Sequence, residues 1–346
     1  MTSGAPLLVG VLGTEVAVLA PGTVVTQLRR LLADLESSGP PTRRLVLEES
    51  ADGRFRLLDD GALVRAGVEP VVAAATIVWR LNTIAAATER HLLMHAGVVG
   101  GAGAAILPGA SGAGKSTLVA ACVADGMAYL SDEYAAVDLD RGAVVPFPKP
   151  IGLEREQLVS SSELGAGGVP RAPVAVAGMV FPRYEEGRPT ASRRVDAGWA
   201  LLALAAHTTN LRVLGGRALP WLAGLAATRP AWQVTYGETA GAVAVVRDAA
   251  DVVVAPLRPA DELEAITPTT TTVALGEGLA VLDATTCRVH LLNASAAFVW
   301  RCVADTPDQT RLVETVLDRV PEGSLDRASV RATVERLGAS GLLAGG

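Results

Sequence analysis

Aromatic side chains are scarce in this chain, at 4% of 346 residues. Half of the residues are hydrophobic all the same, so the core must be built mainly from Ala, Val and Leu. Cysteine is scarcer still. The three present, Cys122, Cys287 and Cys302, are too few and too scattered for a disulfide framework or a zinc site. Positive charge is in deficit: 30 Lys and Arg against 36 Asp and Glu, a net charge of −6. The basic residues are spread rather than clustered, which argues against nucleic acid or an anionic membrane as partner. No apolar run approaches the roughly 20 residues that span a bilayer; residues 71–79 and 197–206 are among the longest. The first residues show no basic segment ahead of a long apolar one, so no secretory signal is expected and a cytoplasmic location is. The length suits two or three domains.

What the chain does have is Gly109-Ala110-Ser111-Gly112-Ala113-Gly114-Lys115-Ser116, a full match to the phosphate-cradling pattern G-x-x-x-x-G-K-[ST]. The apolar run 104–107 predicts a buried strand before it. Residues 116–125 predict a helix after it, with Gly126 at the C-cap. A strand, a glycine loop and a helix start aim backbone N–H groups and the positive end of a helix dipole at one point, where a triphosphate fits. Lys115 is expected to reach the β- and γ-phosphates and the Ser116 hydroxyl to hold Mg²⁺. Thr117 extends the cradle, and ATP and Mg²⁺ are the expected ligands. Cys122 falls within the helix and reads as plain core.

Ahead of the loop, residues 7–11, 16–19, 44–48 and 55–58 read as short strands, with a helix over 26–36 and a turn over 37–41. Residues 71–87 predict a largely buried helix in which Arg80 is a polar exception. Residues 92–99 predict a strand, turned by 100–103 into the strand before the loop. Beyond the loop helix, 127–130 predicts a strand ending in Ser131-Asp132-Glu133. Residues 134–194 read as proline-punctuated β structure with a flexible stretch over 160–168. Helices are expected over 197–206 and 219–228, late strands over 243–246 and 252–254, and a boundary at 257–261. The remainder predicts strands over 272–275, 279–283 and 289–291, then helices over 294–303, 309–319 and 326–337.

In a parallel α/β sheet the C-terminal ends of adjacent strands meet one crevice. Asp132 and Glu133 are therefore expected to face the phosphates from the neighbouring strand. Two adjacent carboxylates there can hold the metal, accept a proton from an attacking hydroxyl, or divide those tasks; a solvated acidic turn is the bland alternative. His95 lies on the strand that precedes the loop's own. Its imidazole can stabilise the γ-phosphate or tune the acids, or simply belong to the core among Leu, Met and Ala.

His95-Ala96-Gly97, the loop with its Ser-Thr, and the strand end Tyr129-Leu130-Ser131-Asp132-Glu133 together resemble the HPr kinase/phosphorylase family and its stand-alone serine kinase relatives. The likeness covers roughly residues 85–255; 147–151 and 206–210 also look like stretches found in such relatives. Glu133 stands where the bifunctional enzymes usually carry Asp, which points to a kinase-only relative. The resemblance implies an α/β P-loop kinase core with a mixed sheet, the kind found in the C-terminal part of HPr kinase, over residues 85–256. Residues 1–84 would be a β-rich segment packed on it. It implies ATP and Mg²⁺ at the loop, Asp132 taking the proton from a Ser or Thr hydroxyl, Lys115 and the metal neutralising charge, and His95 assisting near the γ-phosphate. Lys149 is a weak candidate for contact with phosphate or acceptor. Relatives of this kind form homo-oligomers.

Residues 262–346 resemble a second family. Leu279 to Asp283, Val289-His290-Leu291-Leu292-Asn293, Ala296 to Trp300, and Leu337 to Leu343 are similar to PqqD-like modules. That likeness implies a small α+β, winged-helix-like domain that captures peptides on an open strand edge. Val273 and Leu275 are the expected edge and Trp300 is expected in the core; a domain that only stabilises or dimerises is the alternative. Joined, the two likenesses imply an ATP-dependent kinase for a Ser or Thr hydroxyl of a ribosomally made precursor peptide. A nucleotide-responsive peptide carrier without phosphoryl transfer, or a small-molecule (serine) kinase, are the other readings.

Overall fold

The computed structural model describes residues 5–152, 158–164, 168–264, 266–304, 306, 311–319 and 326–343. It is a mixed α/β fold. The chain divides into two compact units. Met1–Val195, Ala206–Val213 and Arg229–Leu257 form the first; Asp196–Ala205, Leu214–Thr228 and Arg258–Gly346 form the second.

The first unit opens with β1 (Leu7–Val11), β2 (Thr14–Leu19), α1 (Gly22–Leu31), β3 (Arg43–Glu49), β4 (Phe55–Asp59) and β5 (Ala62–Val68). The strands pair in that order as one five-stranded sheet. Strand β5 escapes the sequence reading because its side chains are mostly exposed and lack an alternating apolar face. Helix α2 (Ala73–Ala86) follows. It buries Ala73, Ala74, Ile77, Leu81 and Ile84 in a core shared with the sheet and with Leu93, Ala136 and Phe147. Arg80 is on this helix because Asp59 is buried: Arg80 Nε donates to Asp59 Oδ2 at 2.6 Å and Arg43 Nε to Oδ1 at 2.7 Å. Burial pushes the Asp59 carboxyl up, but the two guanidinium groups outweigh it and hold it below its usual value.

Next come β6 (His91–Gly100), β7 (Ala104–Pro108), α3 (Lys115–Ala124), β8 (Ala128–Ser131), β9 (Tyr134–Asp138) and β10 (Ala143–Val145). After the short pair β11 (Ile151–Gly152) and β12 (Leu158–Val159), α4 (Ser161–Leu164) gives the expected flexible stretch helical order; residues 165–167 of that stretch lie outside the described ones. Strand β13 (Val176–Tyr184) and β14 (Ala191–Arg194) precede α5 (Ala197–His207), α6 (Leu211–Leu214) and α7 (Ala218–Thr228). Strand β15 (Ala231–Tyr236) and α8 (Thr239–Ala250) complete the first unit.

Its large sheet runs β10-β9-β6-β7-β13-β15-β14, with β8 also on β6. Strand β6 is the spine. One edge pairs antiparallel with β7, and the other is shared by β9 along His91–His95 and β8 along Val98–Gly100. Strands β13 and β15 run parallel to β7. Three expectations are corrected here. The acid-bearing strand β8 is not beside β7; β6 lies between them. Residues 243–246 are helical, not a strand, because Ala242, Val243, Val246, Ala249 and Ala250 are buried at helical spacing. Residues 252–254 form no strand, and Val252 and Val253 are exposed.

In the second unit β16 (Thr270–Leu275), β17 (Gly278–Asp283) and β18 (Arg288–Leu292) form an antiparallel meander. It is followed by α9 (Ala294–Ala304), α10 (Leu312–Arg319) and α11 (Arg327–Ala339). Trp300 is fully buried among Leu279, Val281, Leu312, Val316, Val330 and Leu337, and its Nε1 donates to Thr272 Oγ1 at 3.4 Å. The expected open edge is covered at Val273: Leu263 N–H donates to Thr272 O at 2.9 Å, and Glu262 bridges Val273. The expected helix over 309–319 is described only from 311. Among the described residues, no helix is long and apolar enough to cross a membrane.

Asn210 is buried and clamps the start of β6. Its Oδ1 accepts from Leu93 N–H at 3.0 Å, and its Nδ2 donates to Thr88 O at 3.0 Å and His91 O at 2.8 Å. Asn210→Ala strands all three backbone groups. Unpaired buried groups cost about 1–3 kcal/mol, so the urea unfolding midpoint is expected to drop by a corresponding amount, while Thr209→Ala, at an exposed position, leaves it nearly unchanged.

Candidate functional site

The glycine loop connects the C-terminal end of β7 to α3. Gly112 and Gly114 sit at φ +82° and +84°, a left-handed backbone that favours glycine. Gly114 is also pressed from above: a Cβ there would come within 2.3 Å of the Tyr236 hydroxyl, which donates to Gly114 O at 3.0 Å. No side chain caps the start of α3, so its first N–H groups point into the loop. Within the loop, Ala113 N–H donates to Ala110 O at 3.2 Å. The Lys115 ammonium folds back to donate to Gly109 O at 2.7 Å and Ala110 O at 2.8 Å. Burial pulls the Lys115 pKa below its ordinary value, against the smaller opposing pull of Glu133 and Asp132.

The acids reach the loop across one intervening strand. Ala96 of β6 pairs with Pro108 on one side, and its N–H donates to Glu133 O at 3.1 Å on the other. Two inter-strand spacings, about 10 Å, therefore separate the root of the loop from the turn that carries Asp132 and Glu133. Side chains close that gap: Ser116 Oγ donates to Asp132 Oδ2 at 3.4 Å.

Lys149 is the residue whose weight the sequence understates. It is buried at 5% exposure, and its ammonium lies 2.9 Å from Asp132 Oδ1 and 3.4 Å from Glu133 Oε2, with a bond to Pro150 O at 3.2 Å. Burial pulls its pKa down, but the two carboxylates together raise it above the ordinary lysine value. The Tyr129 hydroxyl, fully buried, lies 2.7 Å from Lys149 O and 3.2 Å from Asp132 Oδ1. Burial and Asp132 push its pKa well up, so it stays a donor. On the outer side, His95 Nε2 is 3.8 Å from Glu133 Oε1. Burial first, and Lys115 second, lower the His95 pKa, which leaves a neutral imidazole at pH 7.

A cavity of about 850 Å³ joins these groups. His95, Ser111, Gly112, Gly114, Lys115, Ser116, Thr117, Asp132 and Glu133 line it. Of the expected loop residues, Gly109, Ala110 and Ala113 do not line it; Gly109 is buried, and Ala110 is exposed. The far end of the cavity is walled by residues that the sequence reading did not single out: Tyr184, Tyr236, Gly237, Glu238 and Thr239. Tyr184 and Tyr236 stand at the C-terminal ends of β13 and β15, parallel to β7, and meet edge to face at 5.8 Å. Crevices at such strand ends are the usual ligand sites of α/β sheets. The segment 207–210 is zipped to β6 beside His95, with Thr209 N–H donating to Leu93 O at 2.9 Å and a bridge from Thr208 to Met94. This brings His207 within the influence of Lys115 and His95, which add to burial in lowering its pKa.

The donors suit a hard cation. Ser116 Oγ and Asp132 Oδ2 are adjacent oxygens, the ligand type that Mg²⁺ prefers together with phosphate oxygens. Glu133 is instead engaged by Lys149 and His95. Among the described residues no group of three or more His, Cys, Asp or Glu side chains forms a metal cluster, so a metal here would depend on the phosphates for most of its ligands. Cys122 is inert core, its thiol pushed up to about 12 by burial.

In the second unit, with β16 covered at Val273, β18 is the opposite edge of the meander, paired only with β17 among the described residues. Beside it is a groove of about 700 Å³ lined by Leu202, Leu291, Asn293, Thr333, Arg336 and Leu342 among others.

All four histidines have pKa values lowered chiefly by burial. The unfolded chain therefore takes up protons that the folded one refuses as pH falls below about 6.5. The urea midpoint is expected to be flat from pH 8 to 7 and to decline between pH 6.5 and 5. That window lies above the range in which the depressed Asp59 and Asp138 carboxyls titrate. A midpoint that holds down to pH 5 would refute the assignment.

A scan against protein-family models finds no match for this chain, and a search of curated proteins finds none either.

Proposed function

We propose that the protein is an ATP-dependent kinase that transfers the γ-phosphoryl group to a Ser or Thr hydroxyl of a peptide. The carrying observation is the convergence on one cavity of a glycine loop with an invaginated lysine, a Ser116–Asp132 oxygen pair, and a second carboxylate set by a buried lysine. The triphosphate occupies the loop, where backbone N–H groups and the α3 N-terminus favour negative charge. Tyr184, Tyr236 and Glu238, at the other end of the same cavity, would border the base and ribose of a bound nucleotide. Lys115 exchanges its loop carbonyls for phosphate oxygens. A bound Mg²⁺ would lie at Ser116 and Asp132 and neutralise charge on the phosphates.

Asp132 receives the proton of the attacking hydroxyl. The hydroxyl oxygen forms its bond to the γ-phosphorus as the bond from that phosphorus to the bridging oxygen of ADP breaks, and the proton leaves to solvent from the carboxylate. Lys149 holds both acids in orientation. Neutral His95 steadies Glu133 at the mouth of the site. A P-loop kinase core related to HPr kinase accounts for this arrangement, and a winged-helix-like, PqqD-type second unit accounts for β18 and its groove. A peptide adds to β18 by backbone hydrogen bonds while the groove selects its side chains. Tethered capture raises the local concentration of acceptor. A cytoplasmic protein handling a ribosomally made precursor fits these roles.

One observation favours a second reading. Asp132 Oδ1 is held by Lys149 at 2.9 Å, and its other oxygen lies beside Ser116 Oγ, so both oxygens that could take a proton are already engaged. A peptide carrier that responds to nucleotide without transferring phosphate needs no base at all.

Mass spectrometry of candidate precursor peptides incubated with the full-length protein and Mg·ATP separates the two. The kinase adds phosphate to a Ser or Thr; the carrier changes its peptide affinity with ATP and adds none. Asp132→Asn is expected to slow transfer by about 10²–10⁴-fold, the usual worth of a general base. Lys115→Ala is expected to weaken ATP binding measured by calorimetry. Transfer by Asp132→Asn at the wild-type rate would remove Asp132 from the mechanism.

A further inference from the structure

Glu133 lines two cavities, not one. Behind it, away from the glycine loop, is a second space of about 540 Å³, bounded by one face of α2 and by Tyr134 and Lys149. Its size is within the range of small-ligand sites. Trp79, Asn82, Thr83 and Ala86 of α2 line it. They recur at helical spacing, so they form one stripe, opposite the face that fills the core of the N-terminal sheet. Folding does not require a tryptophan there, yet Trp79 stands 47% exposed beside the space. Asn82 Oδ1 is buried and has no hydrogen-bond partner. An amide oxygen removed from water without a donor costs free energy; turning the Asn82 amide about its Cβ–Cγ bond brings that oxygen to the space, where a ligand N–H recovers the lost bond.

The charge in this space narrows what it takes. Among the described lining residues Lys149 is the sole cation, and its three N–H bonds are committed to Asp132, Glu133 and Pro150 O. A free amino acid brings a carboxylate that would find no counter-charge. A residue joined in peptide linkage brings none, and offers a backbone N–H.

We infer that the space walled by Trp79 and Asn82 is the acceptor subsite: it seats the residue next to the phosphorylated Ser or Thr of a peptide, an apolar side chain on Trp79 and a backbone N–H on Asn82 Oδ1, with the hydroxyl passing over Glu133 into the nucleotide cavity. This rests on the kinase reading and gives the β-rich N-terminal segment a task, since that segment holds α2 against the site.

The test uses the full-length protein, Mg·ATP and a degenerate peptide library with one central serine, with products sequenced by mass spectrometry. Large apolar residues are expected to be enriched at a position adjoining the serine. Trp79→Ala is expected to erase that preference. Asn82→Leu, close in volume but without the amide, is expected to raise KM for the preferred peptide about tenfold, the equivalent of one hydrogen bond, with KM for ATP unchanged. Circular dichroism and ATP affinity serve as checks that both variants fold. The inference is overturned if neighbouring residues make no difference, if neither variant moves the peptide KM, or if free serine is preferred to every peptide. It is likewise overturned if Mg·ATP binds by calorimetry and no peptide is phosphorylated. Failure to bind Mg·ATP would instead bring down the kinase reading.

Discussion

A buried ammonium between two carboxylates holds the site together. Taking Lys149 out of water is costly on its own, and so is burying Asp132; each is tolerable because the other is there. Their pairing at 2.9 Å, with Glu133 at 3.4 Å, fixes the turn between β8 and β9. Tyr129 locks it from beneath by reaching both the Lys149 carbonyl and Asp132. Every other contact of the acids is made from that fixed point: Ser116 to Asp132 on the loop side, His95 to Glu133 on the outer side. The two cavities meet where this turn stands, so a single small cluster governs what enters from either direction.

Strand β6 converts that local arrangement into a site. It carries His95, accepts the acid turn along one edge and the loop-bearing strand along the other, and is held in register by Asn210. Gly97 lets α3 settle onto it, since a Cβ there would lie 2.4 Å from Val119 Cγ2. The helix start, the imidazole and the carboxylates are thus referred to one rigid element rather than to a set of loops.

Much of this was legible in the sequence because the features are local. The glycine loop, its flanking strand and helix, and the acidic pair are each specified by residues within a few positions, and the backbone demands at Gly112 and Gly114 are written in the residues themselves. What was not legible depends on distant partners. Lys149, between two prolines, looks like a surface charge until the fold sets it against Asp132. Tyr184 and Tyr236 become neighbours of the loop only through parallel pairing of strands far apart in the chain. Residues 243–246 are short and apolar, a pattern that a buried helix and a buried strand share; the helix wins because its Ala and Val side chains repeat at helical spacing on one buried face. The edge at Val273 looked open because the segment that covers it, 262–263, carries no strand signature of its own.

The two compact units are interleaved along the chain rather than laid end to end. The first is not whole until β15 and α8 are made, yet residues 196–205 and 214–228, which precede those elements, belong to the second. During synthesis the apolar helix α7, with Leu219, Leu222 and Leu225 destined for burial, emerges well before β16, against which it packs. Folding in strict order from the N-terminus is therefore denied to this chain. The nascent polypeptide has to carry an uncovered greasy helix until β16 and β17 are made, and no single proteolytic cut can release either unit intact.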